Sequence, residues 1–252
     1  MTNVPPASRL ASAALGSLAA KVGTGGFQIA YTYAFAAAMP EQDFAWFLLL
    51  VSGVTFVGTL GTGGAADAAV RLVGHALKRG RGNALARTLS SAFALAALLS
   101  LALASAVVPT TAAIASLRAA DGGDPPVWLF VLAALSIPAF ALRAVAVGLI
   151  RGFGALALAT VFEGTLVNGL LAACAVGMLI AGGASLGVAA AAFAAVSALV
   201  GMLALLTVGR LGSAVTGGEA SFAVPALDRC RELFEVGEPL LTAGILGLLV
   251  GQ

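Results

Sequence analysis

Residues 186–208 read LGVAAAAFAAVSALVGMLALLTV, a run without a single charged side chain. About 20 predominantly apolar residues in helical form are enough to cross the hydrocarbon core of a bilayer. Comparable runs occupy residues 44–66, 89–108, 127–150 and 155–181, and another ends near Ala38 and begins between Ala11 and Val22. Six complete spans are therefore expected. A seventh apolar segment starts near Pro239 and runs 14 residues to Gln252. As a helix it would be about 21 Å long, short of a core of about 30 Å.

Composition agrees. Of 252 residues, 60% are hydrophobic and only 10% are charged, against about 25% charged in an ordinary globular domain. So few charges cannot cover the surface of a soluble protein of this size. The formal net charge of +2 gives no footprint for nucleic acid, and no basic block is interleaved with aromatics. The fold class expected is all-α integral membrane. Its organisation is a six-helix transmembrane lobe over 1–208, a linker over 209–238, and over 239–252 the truncated start of a second lobe.

One stretch offers a different reading. Gly61-Thr62-Gly63-Gly64-Ala65-Ala66 spells G-x-G-x-x-A, the pattern of a turn that cradles a dinucleotide phosphate. That turn needs a short strand before it and an acidic residue about 20 positions on. The apolar run before it is too long for a strand, and Lys78, Arg79 and Arg81 lie near the place of the acid. No Gly-Lys-Ser/Thr follows, so a Walker loop fails too. Close helix packing at a membrane boundary is the better account.

The connections alternate in charge. Residues 40–43 are short and acidic, whereas 67–88 hold Arg71, Lys78, Arg79, Arg81 and Arg87. Residues 109–126 hold one base, Arg118, with Asp121 and Asp124; the next turn holds Arg151; residues 182–185 are uncharged; and 209–238 hold Arg210, Arg229 and Arg231. Basic loops stay cytoplasmic. The N-terminus is thus expected inside, with Arg71, Lys78, Arg79 and Arg81 at the cytoplasmic interface of an inner membrane.

A cleaved signal peptide is not expected: Lys21 interrupts the first apolar run and no clear cleavage site follows. Cys174 falls in the fifth span and Cys230 in the linker, so both should be free thiols. His75 is the only histidine, and with no partner nearby a metal site is not expected. No cofactor is implied. Within the linker, Leu227, Cys230, Leu233 and Phe234 fall near one helical face. Residues 225–234 are either a short amphipathic helix along the inner interface or a plain solvated linker.

Three stretches share a family pattern. AMPEQDFAWF (residues 38–47) looks like a turn between first and second spans, LGTGGAADAAVRLVGHALKRG (60–80) like a second-span ending with its basic loop, and RELFEVGEPLLTAGILGLL (231–249) like the entry into a seventh span. Together, in this order, they resemble the polysaccharide flippases, the Wzx-like O-antigen and exopolysaccharide transporters of the multidrug/oligosaccharidyl-lipid/polysaccharide exporter superfamily. Met39 stands where that family usually has glycine, as does Ala45. The family has about twelve or more spans in two lobes, so the chain resembles its N-terminal lobe plus the beginning of the next helix. The resemblance implies transport of a lipid-linked glycan across the cytoplasmic membrane, with membrane lipid around it and a second lobe or partner chain completing it.

Ionisable groups inside a membrane are costly and default to functional candidates. Lys21 lies where the resemblance places a basic residue of helix one. Counted from Ala38 it is about 25 Å below the outer face, so it either faces a cationic cavity or snorkels to the inner interface. Arg143 and Glu163 each lie ten positions from Phe153, about 15 Å along antiparallel helices. Opposite charges at one depth are expected to pair; the alternatives are a substrate-facing Arg143 and an ion-coupling Glu163. Lys21, Arg143 and Glu163 are the substrate-pathway candidates. Thr24, Gln28 and Asn168 either line a polar cavity or bond helix to helix.

No catalytic constellation is visible, so an enzyme is not expected. A membrane polymerase or acyltransferase would need a large loop or interfacial carboxylates and histidines. A multidrug or cation antiporter of the same superfamily would favour acidic cavity residues over Lys21 and Arg143. A non-transporting fragment is the remaining alternative.

Overall fold

The computed structural model describes residues 7–79, 82–118, 126–216, 230–233 and 235–237. Its helices are α1 (Ala7–Ala38), α2 (Glu41–Gly61), α3 (Ala65–Lys78), α4 (Gly82–Arg118), α5 (Val127–Gly152), α6 (Leu156–Thr160), α7 (Leu166–Ile180) and α8 (Leu186–Thr216). A π-helical turn, Val161–Thr165, joins α6 to α7. No strand occurs among the described residues.

Five stretches are long and apolar enough to cross a membrane: Glu41–Gly61, Gly82–Val107, Val127–Gly152, Leu156–Ile180 and Leu186–Val215. At most 44% of any of these apolar windows is buried within the chain. The remainder points outward, with Ile180 81% exposed. That much apolar surface needs lipid or protein against it. The chain is an all-α membrane protein.

The sixth expected span is different. Helix α1 has 32 residues, about 48 Å of helix, yet it is not among the five. Lys21, Gln28, Thr24, Thr32 and a run of glycines make it more polar than its neighbours.

Two helices run past their expected ends. α4 continues through Pro109 to Arg118, into the connection expected over 109–126. Apolar helices tolerate such a proline because freed backbone groups find other partners. α8 continues to Thr216, well into the expected linker.

The G-x-G-x-x-A stretch breaks a helix. α2 stops at Gly61, and Gly63 and Gly64 take left-handed conformations, φ 54° and 72°, which cost any residue with a Cβ. Gly64 also allows a close approach, since a Cβ there would lie 2.2 Å from the carbonyl oxygen of Gly237. α3 then starts at Ala65, with Asp67 in its first turn and Lys78 in its last, both matched to the helix dipole. Residues 67–79, read from the sequence as a basic connection, are an amphipathic helix: Ala65, Ala68, Ala69, Val73 and Ala76 are buried, while Asp67, Arg71, His75 and Lys78 are exposed.

α5 is the centre of the packing, in contact with α2, α3, α4 and α8. α3 comes so close that a Cβ on Gly148 would lie 2.2 Å from the carbonyl oxygen of Ala66. α1 packs instead along the fifth span, formed by α6, the π turn and α7, and scarcely touches α2. At one end an aromatic chain ties α1 to the core: Tyr31–Phe35, Phe35–Phe47 and Phe47–Phe193 have ring centroids 6.3, 4.7 and 6.5 Å apart.

Residues 230–233 and 235–237 are helical. Leu233 is fully buried and the Cys230 thiol lies 3.8 Å from the Ser91 carbonyl oxygen, so this part of the linker packs on the lobe. Leu227, Phe234, Arg81 and the seventh apolar segment lie outside the described residues.

Candidate functional site

Three places hold the polar and charged residues that the sequence singles out within the spans. The first is the seam between α1 and the fifth span. The Thr24 and Thr165 hydroxyl oxygens are 2.9 Å apart, and both hydroxyls donate to the Ala20 carbonyl at 2.8 Å. Asn168 Nδ2 donates to the Thr24 carbonyl at 3.1 Å, and the Ser17 and Thr160 hydroxyls meet at 3.3 Å. Thr24 and Asn168 thus bond helix to helix, as small polar side chains do where hydrocarbon offers no partner. The π turn lies within this seam: Thr165 belongs to it and Thr160 immediately precedes it.

Lys21 follows Ala20, one turn beyond Ser17. It is exposed, as are Gly25 and Gln28. These three, at i, i+4 and i+7, line one stripe beside the seam. A second polar side chain, Gln28, thus accompanies Lys21 two turns further along the same face.

The second place is the hairpin between α5 and α6. Gly154, at φ 85°, turns the chain there. Glu163 is in an ion pair with Arg151, and the two side chains are 50% and 32% exposed. The expected Arg143–Glu163 pair does not form. Counting from the turn sets a side chain's height, but each residue rotates it by about 100°. Glu163 stands about 11 Å up from the start of α6, on a side that Arg151 reaches from the end of α5.

The third place is Arg143 itself. It is 7% exposed, and its guanidinium carbon lies 4.8 Å from the centre of the Phe140 ring, within cation–π range. Its stem packs against α8, where a Cβ on Gly201 would be 3.7 Å from the Arg143 Cβ. Arg143 Nη1 and Ser197 Oγ are buried without a hydrogen-bond partner. Ser197 lies one turn before Gly201 on α8. Arg143 is therefore enclosed within the lobe at the α5–α8 contact, away from the exposed stripe of Lys21.

At the expected cytoplasmic interface, Arg71 and Lys78 are exposed on α3, and Arg79 follows at its end. Beyond α8, Arg231 pairs with Glu235 at 2.7 Å; hydrogen bonding and charge from Glu235 push the arginine pKa up. Cys174 and Cys230 are free thiols. Among the described residues no group of three or more His, Cys, Asp or Glu side chains is placed to hold a metal. Compared with known proteins, the chain matches no family model, no curated sequence and no solved structure.

Proposed function

We propose that the chain is one lobe of a two-lobed transporter of the cytoplasmic membrane. Its substrate is a lipid-linked oligosaccharide or polysaccharide precursor, passed outward by alternating access between this lobe and a second lobe or partner chain. The observation that carries the reading is the exposed stripe of Lys21, Gly25 and Gln28 on α1. Lys21, about 25 Å below the outer face, and Gln28, about 10 Å nearer to it, are costly to leave against lipid tails. They belong against water or protein, so the α1 side of the lobe lines the pathway, where sites of such transporters lie. An exposed lysine there is suited to a diphosphate, which offers several charge-assisted acceptors. The order of the three family-like stretches supports the substrate class, and the basic run of α3 supports a cytoplasmic N-terminus.

Thiol labelling tests the pathway. In a Cys174→Ser, Cys230→Ser background, cysteines at Gly25 and Gln28 should react with a membrane-impermeant maleimide far faster than cysteines at Leu98 and Leu135. Equal inertness at all four positions would remove the reading. Reporter fusions should place Lys78 inside and Ala184 outside. Binding of undecaprenyl diphosphate should weaken in Lys21→Gln; no change there would exclude Lys21 as its ligand.

A further inference from the structure

A groove of about 870 Å³ runs between α4, α5 and α8. Phe93, Leu142, Met202 and Leu206 give it apolar walls, and Arg210 and Ser213 stand at one end. Met202 to Ser213 covers about 16 Å of helix, one leaflet of a core of about 30 Å. The charged end lies toward the C-terminal end of α8. Arg210 is exposed, and no carboxylate among the described residues pairs with it. Ser213, three residues beyond Arg210, donates to the Gly209 carbonyl at 2.9 Å, one turn back on the same helix.

We infer that this groove holds one anionic phospholipid of the adjacent leaflet, with an acyl chain along the apolar walls and its phosphate on Arg210. Three features specify that occupant. The walls match hydrocarbon, their length matches one leaflet, and the one cation among the lining residues, Arg210, stands toward headgroup depth, where cationic clefts between spans take anionic headgroups. The site is separate from the α1 stripe, and it depends on the chain spanning a membrane but on nothing in the transport reading.

Native mass spectrometry of the full chain released from detergent tests the inference, with phosphatidylglycerol and phosphatidylcholine titrated separately. Phosphatidylglycerol should bind about fivefold tighter, the worth of one basic residue near an anionic surface. Arg210→Gln should bring it down to the phosphatidylcholine level. Leu206→Trp, which fills the groove and leaves Arg210 in place, should weaken both lipids. Equal binding of the two lipids by the unaltered chain, or full retention of the preference in Arg210→Gln, overturns the inference. So does a dimer, or a chain whose own linker fills the groove, that takes up no lipid in Leu206 and Leu206→Trp forms alike. Circular dichroism checks that each variant keeps its helix content.

Discussion

Glu163 reaches across the α5–α6 turn to Arg151, and Arg143, two turns further up α5, is left buried with its Nη1 nitrogen unpartnered. The two arginines on one helix are therefore in opposite situations. Arg151 has a counter-charge and partial exposure. Arg143 has burial and an aromatic ring, with no counter-charge bonded to it.

A double-mutant cycle separates them. The Arg151–Glu163 pair, being partly exposed, should show a coupling of about 0.2–1 kcal/mol, while the Arg143–Glu163 cycle, with no direct bond between the two, should give a smaller one. Thermal unfolding of the four variants in one detergent supplies the energies. A larger coupling for Arg143 than for Arg151 would refute the assignment.

Arg143→Met should be neutral or stabilising by about 1–4 kcal/mol. Replacing a buried charge by an apolar side chain of similar volume removes a desolvation cost. The same thermal melts read it. Destabilisation by several kcal/mol would mean that the guanidinium has a strong partner in the folded chain.

Gly148→Ala should destabilise by about 1–3 kcal/mol, as overpacking does, because the new Cβ would lie 2.2 Å from the Ala66 carbonyl oxygen. Gly177→Ala is the control: nothing lies within 4 Å of its position, and alanine in mid-helix gains about 0.5–1 kcal/mol. Equal melting temperatures for the two variants would contradict the α3–α5 contact.

The seam predicts a graded loss. Thr165→Val removes its bond to the Ala20 carbonyl and its contact with Thr24, and should cost about 0.6–1.7 kcal/mol, the range for bonds between membrane helices. Thr207→Val, whose hydroxyl is bonded only within its own helix, should cost less. Cysteines at positions 23 and 165 should cross-link, because a Cβ on Gly23 would lie 3.6 Å from Thr165 Cγ2. Failure of that cross-link would separate α1 from the fifth span.

By itself the sequence determined where along the chain the apolar helices lie, though not where α4 and α8 end. Runs such as 186–208 and 127–150 carry enough apolar area to require a membrane, whatever packs beside them. The break at Gly63-Gly64 was not read from it: the second span was expected to run on to Ala66, and only the structure shows these glycines in left-handed conformations. Lys21 as the odd charge of the first helix was legible, because a charge among apolar neighbours stands out locally. What only the tertiary structure decided is direction and partnership. Arg143 and Glu163 were matched by height but parted by azimuth. α1 chose the fifth span over α2, its neighbour in sequence, and Thr24, Thr165 and Asn168 became one seam. The physical reason is that lipid tails are as apolar as a protein core. A spanning helix therefore carries only a faint amphipathic signal of which face is inside, and its partners are settled by close packing and a few hydrogen bonds between residues more than 140 positions apart.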